Sequence, residues 1–164
     1  MKKIGLLSDT HSYLHPKIFE HFKECDEIWH AGDVGNASVV DELAKFKPTR
    51  AVYGNIDGQE IRKMCPKNQR FICEEVDVWM THIGGYPNRY SMDVKELIKK
   101  NPPKLFISGH SHILKVMYDK KLDLLHMNPG AAGKYGIHKV ITMLRFSIDG
   151  KEIKDLEVIE LPKS

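Results

Sequence analysis

The segments Asp9-Thr10-His11 and Gly109-His110-Ser111-His112 set carboxylate and imidazole groups one residue apart, a spacing that suits the corner of a metal site. Three further groups add the same kinds of donor: Asp33 in Gly32-Asp33, Asn55 in Gly54-Asn55, and His82 in Thr81-His82. Taken singly, each is ordinary. Asp-Thr-His can be a turn with an N-capping aspartate, Gly-Asp and Gly-Asn are common turn dipeptides, and a strand-end histidine can be hydrogen-bonded packing. Their shared position is not ordinary. SDTH follows KIGLL, HAGD follows EIW, YGN follows RAV, THIGG follows VWM, and SGHSH follows KLFI. In open α/β sheets the carboxyl ends of the strands are where distant loops meet and sites form. Asp9, His11, Asp33, Asn55, His82, His110 and His112 are therefore candidate metal ligands. Their oxygen and imidazole chemistry, without thiolate, suits Mn²⁺, Fe, Zn²⁺, Co²⁺ or Ni²⁺ and suits Ca²⁺ poorly. No Ser or Cys stands with a convincing base and orienter, so a covalent intermediate is not suggested.

The elements that must position these residues follow from the apolar pattern. Lys3 to Ser8, Glu27 to Ala31 and Arg50 to Tyr53 read as strands. Between them, His15 to Cys25 and Ala37 to Phe46 carry helical stripes, the first with Pro16 in its opening turn. This alternation predicts βαβ units and a largely parallel sheet. A short helix at Gln59 to Met64, strands at Arg70 to Glu74 and Val76 to Thr81, a helix at Met92 to Lys100 and a strand at Lys104 to Ser108 follow. From Ile113 to Val158 the runs LKVMYD, LDLLHM, VITMLRFSI and LEVIEL predict antiparallel hairpins. A single α/β domain over residues 1–164, with two packed sheets, uses all of these elements.

Bulk properties exclude several classes of function. The chain has 164 residues, 41% hydrophobic and 29% charged, which is ordinary for one globular core and unlike a disordered or fibrous chain. Lys and Arg total 25 against 22 for Asp and Glu, a net +3 too small and dispersed to indicate a nucleic-acid partner. The opening apolar run is too short for a signal peptide, and no stretch approaches the roughly 18 apolar residues of a membrane span. Cys25, Cys65 and Cys73 are odd in number and form no C-x-x-C, so reduced thiols and a cytoplasmic location are expected.

In order and spacing, Asp9-Thr10-His11, Gly32-Asp33, Gly54-Asn55, Thr81-His82 and Gly109-His110-Ser111-His112 resemble the motif series of the calcineurin-like metallophosphoesterases. Within that family the likeness is to the small bacterial and archaeal phosphodiesterase branch, and it spans most of the chain. The resemblance implies a sandwich of two mixed β-sheets flanked by helices. It implies one divalent ion on Asp9, His11, Asp33 and His112, and a second on Asp33, Asn55, His82 and His110, with Asp33 bridging and Mn²⁺ favoured. Two cations about 3.5–4 Å apart can hold a bridging hydroxide that attacks phosphorus and can clamp the phosphate oxygens. The expected function is thus hydrolysis of a small phosphodiester or nucleotide, with Asp33 and Asn55 catalytic through the ions.

One departure narrows the expectation. Many family members carry a His after Gly-Asn that serves the leaving group, whereas here Ile56 and Asp57 follow Asn55. A general acid contributes about 10²- to 10⁴-fold, so Asp57 is the candidate replacement; an Asx turn before Gly58 is its other reading. Arg89, in the loop after His82, is the candidate phosphate contact through its guanidinium fork. Asn128-Pro129-Gly130 reads as a structural turn, and His15, His21, His30, His126 and His138 match no motif. Trp29 and Trp79 read as core. A small phosphorylated substrate is the expected partner, with no membrane, and assembly into a homo-oligomer is left open. Two other functions are compatible with the same fold: a non-catalytic protein-binding scaffold, which an intact ligand set disfavours, and a nuclease, which the lack of a basic groove with stacking aromatics disfavours.

Overall fold

Alternation in the first strand decides the layering. In β1 (Lys2–Leu7), Ile4 and Leu6 point one way and Gly5 and Leu7 the other, and all three apolar side chains are fully buried. A strand buried on both faces needs a layer on each side. In the computed structural model, which describes residues 1–163, Ile4 and Leu6 pack against a second sheet and Leu7 packs against helices.

The first half of the chain runs β1, α1 (Lys17–His21), β2 (Glu27–His30), α2 (Ala37–Phe46), β3 (Thr49–Ala51), α3 (Gln59–Met64), β4 (Asn68–Cys73) and β5 (Val76–Thr81). It continues with β6 (Gly85–Tyr86), β7 (Arg89–Tyr90), α4 (Met92–Lys100), β8 (Leu105–Ile107), β9 (Leu114–Asp119), β10 (Leu124–Pro129), β11 (Val140–Asp149) and β12 (Glu152–Pro162). One five-stranded sheet has the order β12-β11-β1-β2-β3, the other β4-β5-β8-β10-β9. Both are mixed. β1, β2 and β3 are parallel while β11 and β12 join antiparallel; β5, β8 and β10 are parallel while β4 and β9 flank them antiparallel. The fold is therefore α/β, two packed mixed sheets with helices outside them.

Three apolar clusters hold the layers. Between the sheets, Ile4, Leu6 and Trp29 meet Val78, Met80, Ile107 and Met127. Trp29 is fully buried with its ring edge-on to Phe71 of the opposite sheet at 5.0 Å. On the outer face of the first sheet, α1, α2 and α3 bury Ile18, Phe22, Val39, Leu43 and Ile61. Gly5 is needed there, because a β-carbon on it would lie 2.7 Å from the Phe22 ring. On the outer face of the second sheet, Val94 and Ile98 of α4 cover Trp79, Phe106 and Leu124. Among the described residues no helix is long and apolar enough to cross a membrane. The three cysteines are buried and unbridged, and burial pushes each thiol up to about 11.

Two local expectations differ from the structure. The helix expected over 15–25 is a single turn, Lys17–His21: burying Ile18 and Phe22 against β1 takes only that turn, and the chain then bends so that Cys25 N–H donates to Phe22 O at 3.0 Å. The segment after His82 is a small hairpin, β6 paired antiparallel with β7, rather than an open loop.

Candidate metal centre

Parallel strands place their carboxyl ends together, and the two sheets present those ends to each other. His82, just past β5, accepts this arrangement directly: its Nδ1 lies 2.7 Å from Ala31 O, just past β2 in the other sheet. Ala132 N–H and Gly133 N–H, beyond β10, donate to Ser8 O and Asp9 O beyond β1. All seven residues at the strand ends come together at this edge. The ligand atoms of Asp9, His11 and His112 lie within 4.8 Å of one another, and so do those of Asp33, His82 and His110. Asn55 joins the second group, its Oδ1 3.1 Å from His110 Nδ1.

Each carboxylate is held by one oxygen and offers the other. Asp9 Oδ2 accepts from Ser8 Oγ–H at 2.6 Å and His110 N–H at 3.1 Å, while Oδ1 lies 3.2 Å from His112 Nε2. Asp33 Oδ1 accepts from Ile56 N–H at 3.1 Å, while Oδ2 lies 3.5 Å from His11 Nε2 and 3.2 Å from His82 Nε2. One oxygen of Asp33 thus stands between a histidine of each group. For His82, donation from Nδ1–H to Ala31 O puts the lone pair on Nε2, facing the carboxylates. Burial pulls the His82 pKa down, but Asp33 and Asp9 outweigh it and the net direction is up. Burial pushes Asp33 up, and the charge of the nearby His82 with the N–H of Ile56 outweighs that to hold it low.

The fit of these residues to divalent cations is visible in what they lack. Asp9 Oδ1, His11 Nε2 and His82 Nε2 are buried without a hydrogen-bond partner. A buried polar atom left unpaired costs about 1–3 kcal/mol, and divalent cations held by the two groups would satisfy all three atoms. The backbone is strained to achieve this aim. Of ten non-glycine residues with positive φ among the described residues, five are Asp9, His11, Asp33, His110 and His112. Left-handed backbone costs such residues about 1–2 kcal/mol each, and such strain collects at functional sites. Two motif glycines have a steric reason. A β-carbon on Gly54 would lie 2.1 Å from Asp33 Oδ1, and one on Gly109 would lie 2.2 Å from Ser8 Oγ.

Asp57, considered above as a proton donor, is engaged by three backbone N–H groups. Its carboxylate accepts from Val34 N–H at 3.1 Å, Gly35 N–H at 2.9 Å and Gly54 N–H at 2.8 Å, buried between the loops carrying Asp33 and Asn55. It ties those two loops together and acts there only as an acceptor. Ile56, at the position of the family's histidine, is half-exposed and contributes its N–H to Asp33. Arg89 is not brought to the cluster. It is exposed on β7 and lines a separate cavity with Lys95, Lys99 and Lys121.

Several residues with supporting contacts carry no local signal in the sequence. Asn128 Nδ2 donates to Gly109 O at 3.0 Å and Ser111 Oγ at 3.2 Å, holding the loop of His110 and His112. Tyr135 stacks on His11 at 4.8 Å between ring centres, and His138 sits edge-on to His112 at 5.4 Å. Fully buried His30 accepts Gly32 N–H on Nδ1, so its Nε2–H donates to Thr10 Oγ, whose hydroxyl donates to Val34 O. That chain pins Thr10 between Asp9 and His11.

His30 and buried His126 make a pH-dependent prediction. Burial lowers each pKa from 6.5 to about 4. Between those values the unfolded chain binds more protons, so stability falls as pH drops from 6.5 towards 4, by on the order of 3 kcal/mol for each histidine. His82, with a raised folded pKa, contributes stability already complete below 6.5 and does not mask this window. Urea midpoints of metal-free protein at pH 6.5 and 4.5 check the fall, and equal midpoints contradict it.

Comparisons place this geometry among known proteins. A probable metallophosphoesterase of Methanothermobacter thermautotrophicus is 28% identical over 161 residues, covering 95% of this chain and 91% of that protein. A phosphodiesterase of Methanocaldococcus jannaschii is 28% identical over 149 residues, covering 81% and 86%. The solved structure of an archaeal phosphodiesterase superposes with TM-score 0.76 at 24% identity over 97% of this chain and 99% of that one. Vps29 of Entamoeba histolytica complexed with zinc superposes with TM-score 0.72 at 13% identity over 99% of both chains, a likeness of fold. The model of the calcineurin-like phosphoesterase superfamily domain matches residues 1–151, and the chain belongs to that family.

Proposed function

We propose that the protein is a metal-dependent phosphodiesterase acting on a small phosphodiester or nucleotide. The observation that carries this is the pair of adjoining groups, Asp9, His11, His112 and Asp33, His82, His110, with three buried donor atoms directed at a common space without partners. Asp9, His11, Asp33 and His112 would hold one divalent ion, and Asp33, Asn55, His82 and His110 a second, with Mn²⁺ the favoured metal. Such a pair supplies an activated water at neutral pH and a clamp for the phosphate oxygens. The chain itself supplies orientation. Ser8, Ile56 and Ala31 fix the faces of Asp9, Asp33 and His82, and Asp57 holds the loops of Asp33 and Asn55 in register.

No titratable side chain stands at Ile56 to protonate a departing group, so esters of acidic alcohols and phenols are the better substrates. Similarity in sequence to the phosphodiesterase of Methanocaldococcus jannaschii favours the diester. The test is hydrolysis of bis(p-nitrophenyl) phosphate and of p-nitrophenyl phosphate by metal-stripped protein with Mn²⁺ restored. Preferential cleavage of the diester supports the reading. Preferential cleavage of the monoester makes the protein a phosphomonoesterase, and bound ions with neither cleaved turn it into a scaffold of the same fold.

A further inference from the structure

A cavity of about 310 Å³ opens beside the metal centre, sharing Asn55 and His82 with it. Its lining includes apolar Trp79, Ile83 and Leu97, basic Arg62 and Lys67, and Asp93. Its volume is at the lower end of the range for small-molecule sites.

Arg62 is held in place from two sides. Its Nε–H donates to Asp57 O at 2.7 Å, and its guanidinium carbon lies 4.4 Å from the centre of the Tyr53 ring. Both anchors use the inner part of the group. Among the described residues neither terminal nitrogen of Arg62 has a hydrogen-bond or ion-pair partner, so a planar fork of donors is left for an anion. Lys67, which lines the same cavity, has only a loose pair with Asp93 at 3.7 Å, both side chains being exposed. The anchoring carbonyl belongs to Asp57, whose carboxylate bonds the loops of Asp33 and Asn55. The fork is thereby fixed to the same loops as the metal ligands. Arg89 has no such anchoring and lines a different cavity.

We propose that this cavity receives one arm of the substrate and that Arg62, assisted by Lys67, binds a second anionic group on that arm, a phosphate or carboxylate separate from the phosphate being cleaved. The substrate class is then a phosphodiester with a further anion, its connecting atoms lying against Ile83 and Leu97. This rests on the phosphodiesterase reading above. Arg62 is a specificity residue: it acts on which ester is bound and remains outside the reacting atoms.

The experiment compares two p-nitrophenyl phosphodiesters whose second arms are alike except at the end: 3-oxypropanoate and its uncharged amide, 3-oxypropanamide. Each is assayed on the Mn²⁺-loaded full chain. A third ester with a terminal phosphate on that arm separates phosphate from carboxylate. Charge-assisted hydrogen bonds to a preformed fork predict about a 10- to 100-fold preference in kcat/KM for the anionic arms, expressed mainly in KM. In Arg62→Gln the ratio of charged to uncharged substrate falls to within about twofold of one, and Arg62→Lys retains part of it. Equal rates on charged and uncharged esters by the unmodified protein overturn the proposal, as does a preference that survives intact in Arg62→Gln. If Arg62→Gln does not fold, the unmodified protein's preference and its reduction in Arg62→Lys decide. Failure to cleave any of the esters overturns the phosphodiesterase reading and this proposal with it, an outcome distinct from equal cleavage.

Discussion

Asp33→Ala is expected to lower kcat/KM for a p-nitrophenyl diester by at least about 10³-fold, which corresponds to about 4 kcal/mol of transition-state stabilisation. The size follows from where Asp33 Oδ2 stands, 3.5 Å from His11 Nε2 and 3.2 Å from His82 Nε2, between the two groups of ligands. On the proposed arrangement, removing it would take an anionic donor from both ions at once, whereas loss of any one histidine would affect one. A simple loss of folding is separable from this effect. In metal-free protein the Asp33 side chain accepts one hydrogen bond, from Ile56 N–H, and its other oxygen shares His82 Nε2 with Asp9, at 3.2 and 3.8 Å, so its removal takes away few contacts. The melting temperature of the metal-free variant is therefore expected within a few degrees of the metal-free parent. A variant that keeps a tenth of the activity contradicts the bridging position.

Restoring metal to stripped protein is expected to stabilise the fold as strongly as it restores activity. Each ion at about 100 times its dissociation constant adds about 2.7 kcal/mol, so two add about 5 kcal/mol. In a domain of this size that raises the melting temperature by on the order of 10–20 °C. The physical source is local. Asp9 Oδ1, His11 Nε2 and His82 Nε2 lie buried without partners, and five ligand residues hold left-handed backbone around them. Melting curves with Mn²⁺ and with chelator test this. A shift below about 2 °C would show that these residues bind no ion tightly.

Much of the fold was legible because periodicity reports burial. The residues expected for the helices at Ala37–Phe46, Gln59–Met64 and Met92–Lys100 and for the strand at Val76–Thr81 are those observed. In α2 and α4 the stripe that marks the helix, Val39 with Leu43 and Val94 with Ile98, is the stripe that packs. The β6/β7 hairpin was not legible, since strands of two residues have no period to read. Trp29 and Trp79 lie in the core as their apolar settings implied.

At the site, residue type and place in the chain carried the candidate ligands, and the glycines beside them have a reason only the fold reveals. Gly54 and Gly109 leave the room that Asp33 Oδ1 and Ser8 Oγ occupy. Supporting residues were hidden because their partners are distant in sequence. Asn128 reaches back to Gly109, Asp57 to Val34, and His110 N–H to Asp9, 101 residues earlier. For the same reason Arg89 is near His82 in sequence, while in the fold Arg62 shares a cavity with His82 and Arg89 lines another.

Diester hydrolysis followed while Mn²⁺ is titrated into stripped protein of known concentration is the most direct test of a two-ion phosphodiesterase. Activity that stays low through the first equivalent per chain and reaches its plateau at the second is the predicted result; no hydrolysis at saturating metal would contradict it.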